Sequence, residues 1–181
     1  MKISYGVLAA FCLLLLGAAE GETQNVHPSH GITIMGGSFA DERGEGQHPF
    51  LSGRYERWFS RVVAFEGGIT HARGQRLLLS SSTLNERTVS TSHTSGDLGI
   101  QMQIPFAHVR PYVGATIGGT YFDGSEFRGS DAGVTHAILG GLRIGRLRDV
   151  SLRTELRLRR DDIARDVSYN AEYGLGITYS W

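Results

Sequence analysis

From Ser168 to the end of the chain every second residue is apolar: Tyr169, Ala171, Tyr173, Leu175, Ile177, Tyr179 and Trp181 alternate with Ser168, Asn170, Glu172, Gly174, Gly176, Thr178 and Ser180. Side chains of a β-strand point to opposite faces in turn, whereas a helical face repeats every roughly 3.6 residues. An unbroken period of two therefore describes a strand with one apolar face. The pattern recurs at 96–104, where Leu98, Ile100, Met102 and Ile104 oppose Asp97, Gly99, Gln101 and Gln103. It recurs again at 150–159, where Val150, Leu152, Thr154, Leu156 and Leu158 oppose Ser151, Arg153, Glu155, Arg157 and Arg159. Beyond residue 30 no pattern at helical spacing is sustained.

Continued along the chain, the same reading predicts eight strands, at about 31–39, 50–59, 61–70, 95–104, 109–122, 134–145, 150–160 and 168–181. The intervening segments alternate between short turns, near Ser60, Pro105–His108 and Arg146–Asp149, and longer connections at 40–49, 71–94, 123–133 and 161–167. An even strand number with turns at one end and loops at the other predicts an all-β fold, an eight-stranded antiparallel up-and-down transmembrane β-barrel of the bacterial outer membrane. The stretch Ser80–Ser95 is rich in serine and threonine. It reads as part of a mobile loop, in preference to two strands extended beyond the bilayer.

The start of the chain has a different character. Lys2 supplies a positive charge, Val7–Leu16 is an apolar run of ten residues, and Gly17-Ala18-Ala19 offers small residues for cleavage. A membrane-spanning helix would need about 20 apolar residues, and this run gives way to the polar stretch Glu20–Asn25. The expected organisation is a signal peptide at 1–19, a leader at 20–30 and a barrel domain at 31–181. Cys12, the one cysteine, lies inside the apolar run and follows Phe11, so neither a lipid anchor nor a disulfide is expected.

Alternation alone does not say which face points inward, and a soluble lipocalin-like barrel has the same period with its apolar face inside. Four features favour the membrane. The polar faces carry small residues (Gly68, Gly99, Gly114, Gly118, Gly141, Gly174, Gly176) suited to a narrow interior. Lys2 is the only lysine among 18 basic residues, unlike a solvated exterior. Trp58, Tyr121, Tyr169, Tyr179 and Trp181 fall near strand ends, as an interfacial girdle requires. Trp181 closes a fully amphipathic strand.

Energetics then orient the barrel. An arginine near the bilayer midplane costs about 2–4 kcal/mol, so the face carrying Arg153, Arg157 and Arg159 must turn inward. The predicted lumen holds Arg54, Arg110, Arg143, Arg153, Arg157 and Arg159 against Glu56, Glu66, Asp97, Glu155 and Glu172, with Gln101, Gln103, Tyr112 and Asn170 between them. Guanidinium groups can bind carboxylates through two nitrogens, and eight strands enclose a space that side chains fill. The expectation is a plugged, polar interior without a pore. Arg57 falls on the lipid side near an edge, Leu139 faces inward and His136 outward, and Met35 and Phe39 oppose Ile32 and Ile34 on the first strand.

The segment RPYVGATIGGTYF (Arg110–Phe122) resembles the fifth strand of small outer-membrane β-barrel proteins, the group of the opacity proteins and the transmembrane domain of outer membrane protein A. Similar to that family are also RYERWFSRVVAFEGGIT (Arg54–Thr70), SLRTELRLRR (Ser151–Arg160) and the terminal YGLGITYSW. The resemblance implies assembly by the barrel-insertion machinery, which reads a final aromatic strand, here Tyr173, Leu175, Ile177, Tyr179 and Trp181. No peptidoglycan-binding domain is expected after the barrel.

Candidate chemistry is sparse. His27 and His30 lack the further ligands a metal would need. His93-Thr94-Ser95 resembles the active-site motif of lipid A deacylases, but Gly96 stands where that motif has asparagine, and no matching acid lies on the next strand. The expected protein is a non-enzymatic, monomeric barrel with no cofactor or metal. Its partners are outer-membrane lipid and lipopolysaccharide, the insertion machinery, and an external ligand at the loops. A formal net charge of +0 gives no support for nucleic-acid binding. The alternatives are a lipid-modifying enzyme of the deacylase kind and an exported lipocalin-like binder.

Overall fold

The computed structural model describes residues 29–41, 47–79, 86–106, 108–124, 129–147, 149–163 and 166–181. The expected signal peptide and nearly all of the leader lie outside the described residues. Eight strands follow in order: β1 (His30–Asp41), β2 (Gln47–Trp58), β3 (Val63–Leu79), β4 (Glu86–Gln103), β5 (Val109–Gly124), β6 (Gly129–Leu147), β7 (Val150–Ile163) and β8 (Asp166–Ser180). Each pairs antiparallel with its sequence neighbours, and β1 pairs with β8 from Gly31↔Ser180 to Asp41↔Asn170, closing the barrel. Closure leaves no edge strand, which a spanning sheet requires because lipid cannot satisfy backbone N–H and C=O groups.

The β6–β7 turn shows how a tight connection is made. The register shifts between Ile144 and Leu147, and Gly145 takes φ of 69°, a left-handed conformation that costs glycine little. Its N–H donates to the His108 carbonyl at 2.8 Å, tying two turns together at this end of the barrel.

The strands are longer than the sequence pattern suggested, chiefly at the end opposite the turns. β3 pairs with β2 only as far as Ala72, and β4 pairs with β5 only from Thr91. Beyond those points β3 and β4 continue against each other to Leu79↔Glu86 as a two-stranded ribbon. The long connection at 71–94 is thus largely strand, and the expectation of a mobile loop at Ser80–Ser95 is corrected for 86–95, which belongs to β4; 80–85 lies outside the described residues. The physical reason is in the composition: Thr88, Val89 and Thr91 are β-branched and favour extended backbone as strongly as the serines around them suggest a loop.

Exposure separates the two faces. Ile34, Ile69 and Ile138 are 64%, 65% and 62% exposed, while Arg153 and Arg157 are 0% exposed. A soluble barrel inverts this arrangement, because contiguous apolar surface on that scale is not left to water. The lipocalin-like alternative is therefore set aside, and the fold is a transmembrane barrel whose outer band meets hydrocarbon.

Within the lumen, Met35, Phe39, Phe50 and Ala72 form a small apolar cluster on the β1–β3 wall. Glycines make room for large neighbours. A Cβ on Gly141 would overlap the Thr154 carbonyl oxygen and come 2.6 Å from the Tyr112 hydroxyl; one on Gly174 would overlap the Met35 sulfur and come 3.1 Å from Phe50 Cζ. Trp58 corrects one expectation: it does not join the outer aromatic girdle but faces inward, buried, because it shares parity with Arg54 and Glu56 on β2. Tyr55 and Phe59 are the exposed aromatics beside it.

Candidate functional site

Among the described residues the strands bring five arginines and six carboxylates into the buried lumen: Arg54, Arg143, Arg153, Arg157 and Arg159 with Glu56, Glu66, Asp97, Glu155, Asp161 and Glu172. Arg153 is the hub. It pairs with Glu56 and with Glu155, reaches Glu66 Oε2 at 2.6 Å, donates from Nε to the Tyr112 hydroxyl at 2.8 Å, and lies 4.7 Å over the Tyr112 ring. The Tyr112 hydroxyl in turn lies 2.9 Å from both Glu155 Oε2 and the Thr154 carbonyl.

Arg157 sits four residues, two strand repeats, further toward the loops. Its Nη1 reaches Asp97 Oδ2 at 2.9 Å, and its Nη2 reaches Glu66 Oε1 at 3.0 Å and Glu155 Oε1 at 3.1 Å. Arg54 bridges Glu66 at 3.1 Å and Asp97 at 3.3 Å from the opposite wall. Toward the turns, Arg143 Nη2 straddles both oxygens of Glu56 at 2.8 and 2.9 Å and stacks 5.3 Å over Trp58. Toward the loops, Arg159 meets Glu172 at 2.6 Å. Charges removed from water must be paired to be tolerated, and here each guanidinium meets at least one carboxylate. Arg110 shares this inward parity but is half-buried beside Arg143, in register with it, at the turn end.

Two lumen residues escaped the sequence reading. His93, on β4, turns inward; its Nε2 lies 2.7 Å from Thr120 Oγ1 and 3.3 Å from Asp161 Oδ2 on β7. Asp161 also accepts from Asn170 Nδ2 at 2.6 Å, and the Phe39 ring lies 4.9 Å from the imidazole. Extending the period of two by two residues past Arg159, and back by four from Asp97, would have placed both on the inner face. A loop assignment to each segment hid them.

This group tests the deacylase-like motif. His93 and Ser95 share a face, but that face is the lumen wall, where they are 6% and 1% exposed. One nitrogen of His93 meets both Thr120 and Asp161, while Nδ1 and the Ser95 hydroxyl have no partner among the described residues. A nucleophilic relay needs the acid on one imidazole nitrogen and the hydroxyl on the other. Among the described residues no group of three metal-ligating side chains occurs.

Charge inside and hydrocarbon-facing residues outside define a small outer-membrane-type barrel. Comparison with family profiles finds no match, and neither does comparison with curated proteins. Solved structures do match in fold. Neisserial surface protein A aligns with a TM-score of 0.61 at 11% identity, over 84% of this chain and 96% of that one. Ail, the attachment invasion locus protein of Yersinia pestis, solved with the heparin analogue sucrose octasulfate, aligns with a TM-score of 0.51 at 19% identity, over 84% and 97%. The outer membrane enzyme PagL aligns with a TM-score of 0.50 at 12% identity, over 81% and 98%. The chain thus has the fold of eight-stranded outer-membrane barrels, a fold that carries an enzyme as well as surface proteins.

Proposed function

We propose that this chain is an exported bacterial outer-membrane barrel without enzymatic activity, acting in the envelope as a structural element or as a surface contact through its loop end. The observation that carries this reading is the filled lumen: paired charges occupy it from Trp58 and Arg143 at the turn end to Arg159 and Glu172 near the loops. Among the described residues no nucleophile, base and oxyanion donor meet in one accessible place. In this reading residues 1–19 are removed as a signal peptide, 20–30 form a leader, and the turns face the periplasm. The insertion machinery engages the β8 face from Tyr173 to Trp181, and the barrel is a monomer among outer-membrane lipid and lipopolysaccharide.

The β3–β4 ribbon, carried past the barrel rim on a rigid wall, is the natural place for an external ligand. That Ail was solved with a heparin analogue supports the idea that a barrel of this size can present such a site. A second reading, a lipid-modifying enzyme, draws on the His93–Asp161 contact and the fold shared with PagL. Mass spectra of lipid A from cells with and without the protein decide between them. Identical acylation supports the non-enzymatic reading, and a lost or added acyl chain overturns it.

A further inference from the structure

The outer wall of the barrel is not uniformly convex. One row of lipid-facing residues crosses five strands in register, Ala115↔Ile138 on β5–β6, Ile138↔Leu158 on β6–β7, Leu158↔Ala171 on β7–β8 and Ala171↔Ala40 on β8–β1. Along β8, Ala171 stands between Tyr169 and Tyr173, which are each 53% exposed. A methyl group flanked by two projecting rings leaves a notch, and the neighbouring Ala40 extends it. The result is a groove of about 740 Å³ with an overwhelmingly apolar lining, within the range of roughly 300–1,000 Å³ that holds one small ligand.

Two further observations give the groove a direction. At its loop-end margin His136 and Arg160 are paired in register, both outward, on the row just beyond the apolar one. Arg160 uses Nε to hold Asp162 at 3.0 Å, so its Nη edge is not engaged in that ion pair. At the other margin a second hollow of about 450 Å³ opens past Tyr173, where Gly36 and Gly140 carry no side chain. An apolar path thus runs down the wall from a rim that carries His136 and Arg160, the latter held through Nε by Asp162.

The geometry points to a binding site for one phosphorylated acyl lipid on the β6–β8 wall, with its phosphate against Arg160 and His136 and an acyl chain in the groove beside Ala171. Phosphate suits the rim because guanidinium donors match its oxygens. The occupant is a lipid A-type glycolipid, since the rim lies at the loop end and the lipid of the leaflet facing the loops carries phosphates beside its acyl chains. The site rests on the outer-membrane reading above, because the leaflet follows from which end faces outward.

The test uses the folded barrel in phosphatidylcholine nanodiscs doped with diphosphorylated lipid A, with retained lipid counted by native mass spectrometry. Wild type should retain one lipid A per barrel. Arg160→Gln should weaken retention by about tenfold, the scale of one charged hydrogen bond, and Ala171→Phe, which fills the notch from outside, should abolish it. Dephosphorylated lipid A should bind about tenfold more weakly, and phosphatidylglycerol should not compete. Equal retention by wild type and both variants, equal binding of dephosphorylated lipid, displacement by phosphatidylglycerol, or a second barrel in place of lipid would each overturn the proposal. A boiling-dependent gel shift on the same samples separates failures: a folded barrel that retains no lipid A sinks only this site, whereas a chain that never inserts sinks the outer-membrane reading with it.

Discussion

His30 and Trp181 exchange two backbone hydrogen bonds of 3.0 Å, each nitrogen donating to the other residue's carbonyl. Their rings stack at 5.8 Å and 21°, and the His30 Nδ1 lies 2.6 Å from the Tyr55 hydroxyl. The pair therefore fastens the β1–β8 seam at the turn end, where closure of the barrel brings the first and last strands together. Trp181→Ala keeps the backbone bonds and loses the rings; deleting Trp181 loses both. Folded protein, measured as the heat-modifiable band in outer-membrane fractions, should fall from wild type to Trp181→Ala and further to the deletion. Equal levels in all three strains would show that the seam does not limit assembly.

Glu155 contacts Arg153, Arg157 and the Tyr112 hydroxyl within the lumen. Removing its carboxylate leaves two buried guanidinium groups short of counter-charge, and breaking a buried pair costs about 3–5 kcal/mol. Glu155→Ala should lower the urea midpoint of the refolded barrel without changing its final fold. An unchanged midpoint would mean that Glu66, Glu56, Asp97 and Glu172 suffice to neutralise both arginines.

How far this interior could be read from the sequence depends on what each feature requires. Which face a residue occupies follows from parity, and parity is local: Arg153, Glu155, Arg157 and Arg159 lie two apart on one strand. Which carboxylate each arginine meets is not local. Arg153 reaches Glu56 and Glu66 on the far wall, a pairing set by barrel closure and strand stagger. Trp58, His93 and Asp161 were misplaced for another reason. Aromatic character suggested a girdle for Trp58, a serine- and threonine-rich stretch suggested a loop for His93 and a charged one for Asp161, although strand parity turns all three inward.

Two glycines should respond to alanine in opposite ways. Around Gly53, on the outer face of β2, nothing lies within 4 Å of an added Cβ; there alanine removes only the entropic penalty of glycine, a gain of about 0.5–1 kcal/mol. At Gly141 the added atom would overlap the Thr154 carbonyl and crowd Tyr112, a strain of about 1–3 kcal/mol. Denaturant midpoints should rise slightly for Gly53→Ala and fall for Gly141→Ala. A fall in both would indicate that Gly53 matters for contacts with lipid.

The β3–β4 ribbon sets a limit on trimming. Residues 75–90 pair only within the ribbon among the described residues, whereas Thr91–Thr94 pair with β5 and carry His93 into the lumen. Replacing 75–90 with a two-residue turn should preserve the heat-modifiable barrel and remove any binding that the projecting ribbon supports. Extending the deletion through Thr94 should reduce folded yield, because it cuts the β4–β5 ladder and empties the place of His93. Equal yields for both deletions would place the stability of the rim elsewhere.

Conduction follows from the same packing. Eight strands enclose about as much space as their own inward side chains fill, and here that space holds Trp58 stacked under Arg143, the Arg153–Tyr112–Glu155 group, the Arg157–Asp97 pair and the Met35–Phe39–Phe50 cluster at successive levels. An ion crossing the barrel would have to displace paired charges at several levels in turn, and each displaced pair would expose a buried charge at a cost of several kcal/mol. The refolded protein in planar bilayers should therefore show background current, with no steady single-channel level, and liposomes containing it should retain small solutes. A stable conductance would require the pairs around Arg153 and Arg157 to rearrange together. In that case Glu155→Ala should change the size of the conductance, which distinguishes flow through the lumen from leakage at the lipid boundary.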